Sequence, residues 1–129
     1  VKKIVLFVLF GVLAFAHSLK PVMIYDSEIL DDKSWNAMIH EGIKRFSGRF
    51  GIGVREVMIL DVSNFSAQVK ALAEEGYDPI MVNNVDSIKQ KAIKEIVLAY
   101  PKKRFIIFNG SFDIPNADFL FSPTMRRPF

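Results

Sequence analysis

Short, mostly apolar runs alternating with stretches of helical apolar spacing constrain this chain more than any other feature. Val22 to Tyr25, bounded by Pro21 and Asp26, is one such run, and Val54 to Leu60, Pro79 to Val82 and Phe105 to Phe108 repeat it. Runs of this kind are expected of buried parallel strands. Between the first two lie Trp35, Met38, Ile39, Gly42, Ile43, Phe46 and Phe50, whose spacing of i, i+3, i+4, i+7, i+8, i+11 and i+15 places them on one face of a helix. Gly51 and Gly53 are expected to end it. Asn64 is the predicted cap of a second helix with Phe65, Val69, Leu72 and Ala73 inward, closed by Gly76. A third helix, about Ser87 to Ala99, should turn Ile88, Ala92, Ile96 and Val97 inward and stop at Pro101. Asp118 to Phe121 adds a short fifth strand. The order β-α-β-α-β-α-β-β predicts an α/β fold, a doubly wound and mostly parallel sheet of Rossmann-like or flavodoxin-like type with helices on both faces.

At 129 residues the chain holds one domain at most, and its 50% hydrophobic content is ample for a core. Lys2 and Lys3 followed by the apolar run Ile4 to Ala16 have the proportions of a secretory signal peptide, too short to span a bilayer comfortably. Ala16 and Ser18 supply small residues at −3 and −1 for cleavage before Leu19. The expected division is a leader over 1–18, an α/β lobe over 19–122 and a divergent tail over 123–129; an uncleaved membrane anchor is the alternative for the first segment. The formal charge of +3 comes mostly from the leader: 17 basic residues less Lys2 and Lys3 leave 15 against 14 acidic, or +1. The remaining Lys and Arg form no ladder with aromatics, so no nucleic-acid partner is expected. The absence of cysteine excludes disulfides and an N-terminal lipidated Cys, which favours a soluble periplasmic protein.

Ligands of open α/β sheets sit beyond the carboxyl ends of the strands, beside helix N-termini. Asp26, Asn83-Asn84 and Asn109-Gly110 each follow a predicted strand, so they gather at one sheet edge with Trp35 and Asn36. Asn and Asp are equally at home in turns. Trp35 suits core packing as well as a ligand platform, and Asp31-Asp32-Lys33-Ser34 suits a helix start as well as ligand contact. Catalytic signatures are thin. With His17 in the leader, His40 is the remaining histidine, no G-x-S-x-G elbow or Walker A loop occurs, and Gly51-Ile52-Gly53 lacks the third glycine of a dinucleotide fingerprint. The acidic loop has no EF-hand spacing. No enzyme activity, metal or cofactor is expected.

The stretch from Tyr25-Asp26 to Asp32-Lys33-Ser34-Trp35-Asn36 resembles the Asp…Asp-Lys-Ser-Phe-Asn signature of the basic membrane protein family of ABC-transporter substrate-binding proteins, which includes purine-nucleoside receptors. His40-Glu41-Gly42-Ile43, Leu72 to Asp78 and Tyr100 to Phe105 also resemble the family, as does Phe105 to Gly110, with Asn109 replacing an Asp. The resemblance runs from about Pro21 to Phe121. It implies the N-terminal lobe of a type I periplasmic binding protein, truncated before a second lobe. It further implies ligand contact at Asp26, Trp35 and Asn36, which with the strand-end Asn84 and Asn109 make the expected ligand site, Trp35 stacking on the base of a purine nucleoside or similar heterocycle. The implied partner is an ABC permease in the inner membrane. A small exported flavodoxin-like or receiver-like domain acting through protein contacts is the alternative.

Overall fold

The computed structural model describes residues 19–27, 35–83, 85–108 and 117–120. The predicted leader over 1–18, the acidic loop Asp31 to Ser34, Asn84, Asn109 and the predicted tail over 123–129 lie outside the described residues. The elements are β1 (Val22–Tyr25), α1 (Trp35–Phe50), β2 (Arg55–Met58), α2 (Val62–Glu74), β3 (Ile80–Asn83), α3 (Ser87–Ala99), β4 (Phe105–Phe108) and β5 (Ala117–Leu120). The five strands form one sheet in the order β2-β1-β3-β4-β5, and every pairing is parallel. The α/β doubly wound reading therefore holds.

Alternation along each strand sorts the side chains between two unequal faces. Val22, Ile24, Ile80, Val82, Phe105 and Ile107 join Phe65, Val69, Leu72 and Ala73 of α2 and Ile93, Ile96 and Val97 of α3 in the hydrophobic core. Met23, Met81, Ile106 and Phe108 face the other way, toward α1. The chain steps one way from β1 to β2, then back past β1 to β3, β4 and β5. With right-handed crossovers, that reversal puts α1 on the face opposite α2 and α3.

The α1 stripe is helical as expected, yet it does not close over the sheet. It forms one wall of an open apolar groove of about 590 Å³, and Met38, Phe46 and Phe50 remain exposed.

Local chemistry adjusts two expectations. The cap of α2 is Asp61, not Asn64: its side chain accepts from Ser63 N–H at 2.9 Å, and Asn64 sits inside the first turn, donating Nδ2–H to Asp61 at 3.3 Å. The extended backbone of Asp61 (φ −99°, ψ 112°) is the geometry a cap requires. In α3, Ala92, Ile96 and Val97 face the core as expected, Lys89 and Ile93 join them, and Ile88 is exposed. Residues 89, 93, 96 and 97 complete an i, i+4, i+7, i+8 stripe, and Lys89 Nζ lies over the Phe65 ring, 5.7 Å from its centroid. Helices α1 and α2 are followed by Gly51 and Gly76 at φ 67° and 89°, where a Cβ would be strained.

Candidate functional site

Reversal of the strand order at β1 opens a crevice between the carboxyl ends of β1 and β3, the place where such sheets bind ligands. Four side chains meet there. Ser27 follows β1, Asn83 ends β3, and Trp35 and Asn36 open α1. Trp35 Nε1–H donates to Asn83 Oδ1 at 3.0 Å. Asn83 Nδ2–H donates to Asn36 Oδ1, and Asn36 Nδ2–H donates to Ser27 Oγ at 2.6 Å. Burial matches this pairing: Asn36 is 6% and Asn83 2% exposed, whereas Trp35 is 37% exposed. A buried amide without partners would be costly, and here the two amides satisfy each other. The indole, with its N–H tied down, keeps much of its ring surface toward solvent and the groove.

The structure thus brings Trp35 and Asn36 together at the strand ends, with half-buried Asp26 next in sequence to Tyr25. Asn84 and Asn109 lie outside the described residues. The amide that engages Trp35 and Asn36 is Asn83, one residue earlier than the asparagine singled out from the sequence. A polar residue closing the apolar run Ile80-Met81-Val82 is the signal that marks it.

A second polar cluster sits beside the relay, under α1. Tyr25 Oη–H donates to Glu56 Oε1 at 2.7 Å, and His40 Nδ1 lies 2.8 and 2.9 Å from the two Glu56 oxygens. His40 therefore faces the sheet rather than the polar side of the helix. Burial, followed by the neighbouring Glu56 carboxylate, pushes the Tyr25 phenol far above its ordinary value of 10.0. It acts as a fixed donor. The sequence signal was Glu56 itself, a carboxylate inside a strand. Among the described residues no group of three or more His, Cys, Asp or Glu is placed to hold a metal ion, and no helix is long and apolar enough to cross a membrane.

Residues 19–116 match the family of PnrA-like ABC transporter substrate-binding proteins. The chain belongs to this family. Comparison with curated protein sequences gives no match. Among solved structures, the chain is similar to a fragment of a protein described as a lipoprotein from Peptoclostridium difficile 630. That pair shares 23% identity with a TM-score of 0.69, over 81% of this chain and 84% of that one. An ABC transporter solute-binding protein from Aeropyrum pernix K1 gives 17% identity and TM-score 0.67 over 78% of this chain and 28% of its own. One from Conexibacter woesei DSM 14684 gives 19% and 0.62 over 78% and 34%. At these identities the likeness is one of fold, and the chain spans about a third of the length of the latter two.

Proposed function

We propose that this family member is the solute-binding component of an ABC importer, whose solute is a purine nucleoside or a similarly flat heterocycle. The observation that carries the reading is Trp35, a partly exposed indole held at the switch point of a parallel sheet by a buried amide. A ring presented in this way suits stacking, and Asn36, Asp26, Asn84 and Asn109 are the proposed polar contacts around it. The leader over 1–18 directs the protein to the periplasm, and an inner-membrane permease receives the solute. The role is carriage, with no bond made or broken.

The described cleft offers one wall of a site, whereas small-molecule sites usually bury roughly 70 to 90% of the ligand. Residues 19–129 should therefore bind adenosine, guanosine or inosine weakly, above the micromolar range. Calorimetry on wild type and Trp35→Ala is the test. Removing the indole should weaken binding by about 1–3 kcal/mol, the value of a lost stacking partner. Equal affinity in a folded Trp35→Ala protein would refute the stacking role, and submicromolar binding by the wild type would refute the one-wall argument.

A further inference from the structure

Every hydrogen bond in the relay runs in the same direction, from Trp35 through Asn83 and Asn36 to Ser27. An indole nitrogen donates and never accepts. It fixes the Asn83 oxygen on its own side, so the Asn83 nitrogen must face Asn36. Asn36 must answer with its oxygen, which turns its nitrogen to Ser27. Flipping either amide alone would set two oxygens or two NH₂ groups against each other, so the direction is determined by chemistry and is no arbitrary choice of amide rotamer.

We infer that Asn83 is a positioning and specificity-determining residue: it holds the plane of the Trp35 indole and dictates which way round the Asn36 amide meets a solute. This rests on the reading of Trp35 and Asn36 as solute-facing. Each amide has two N–H groups and two oxygen lone pairs, and the relay uses one of each on Asn36. The direction of the relay thus decides where its second N–H and second lone pair lie. An aspartate at position 83 would still accept from Trp35 but has no N–H for Asn36. The Asn36 amide would then turn over, donating to the carboxylate and accepting from the Ser27 hydroxyl. Donor and acceptor sites offered to a heterocycle edge would exchange places.

Trp35 is the single tryptophan, so a ¹⁵N-labelled full chain gives one indole N–H signal, and this signal reports the relay directly. In Asn83→Leu it should move upfield, away from its hydrogen-bonded position, and its exchange with water should rise about fivefold or more, the scale of one lost hydrogen bond. In Asn83→Asp, close to isosteric and the variant to rely on if the leucine protein fails to fold, the signal should stay protected and shift further downfield, because a charged acceptor bonds more strongly. Titration with adenosine and inosine, whose ring edges place a donor and an acceptor oppositely, should show the affinity ratio changed by about fivefold or more in Asn83→Asp. An indole signal that is unchanged in both variants overturns the proposal, as does an unchanged ratio. If the signal moves as expected while neither nucleoside binds wild type, the positioning of Trp35 stands and the assigned solute class falls.

Discussion

Tyr25→Phe separates the polar cluster beneath α1 from the packing around it. The ring of Tyr25 is fully buried and phenylalanine refills its volume, so the substitution removes one hydrogen bond, the 2.7 Å donation to Glu56. Bonds to charged acceptors contribute about 1.5–3 kcal/mol. Glu56 keeps its contact with His40 and is part-exposed, so the lower end applies, about 1.5–2 kcal/mol of lost stability at pH 7. The pH dependence sharpens the test. The folded phenol titrates far above the ordinary 10.0, so the folded state holds its proton while the unfolded chain releases it. This stability is complete below pH 10 and is lost as pH rises beyond it, at up to about 1.4 kcal/mol per pH unit. Tyr25→Phe has no such proton. Its disadvantage should therefore shrink above pH 10 and vanish between about pH 11 and 11.5. Urea unfolding midpoints of the two proteins, measured in half-unit steps from pH 8 to 12, give the difference directly. Stability curves that remain parallel across that range would refute the reasoning, because they would mean that Tyr25 titrates alike in both states.

Two further outcomes probe the scaffold. Asp86 accepts from Ile88 and Lys89 N–H at 3.1 and 3.0 Å, so Asp86→Ala should cost about 1 kcal/mol in chemical denaturation. Ile107 is wholly buried among α2 and α3, whereas Ile106 borders the open groove. Ile107→Ala should cost about 2–5 kcal/mol and Ile106→Ala about half as much or less, and equal losses would show that the groove is filled in solution.

The alternation of strands and helices was legible because each periodicity reflects a face buried in the core. Phe65, Val69, Leu72 and Ala73 form the inward stripe of α2 as their spacing requires. At α3 the stripe was legible at Ala92, Ile96 and Val97 but not at its start, because counting apolar residues favours Ile88 over the neighbouring lysine, which is buried with its Nζ over Phe65. The parallel sheet was readable, but the order β2-β1-β3-β4-β5 was not, since it depends on which neighbour each strand meets after its helix. Trp35 and Asn36 could be placed at the strand ends from their position after β1. Asn83 could not be ranked above Asn84, because the decision rests on strand pleat: Asn83 pairs with Phe108 across the ladder and shares the face on which α1 lies. Glu56 and His40 are far apart in sequence, and no spacing rule joins a strand carboxylate to a helix imidazole.

Helix α1 is tied to the sheet by polar contacts in its first two turns, through Trp35, Asn36 and His40, while its far end carries exposed Phe46 and Phe50. The consequence is a gradient of mutational tolerance along a single helix. Near the crevice, a substitution must match directional partners atom for atom. Towards Phe50 the side chains are more exposed and make no directional bond to the sheet among the described residues, so substitutions there should be tolerated more readily and leave the indole in place.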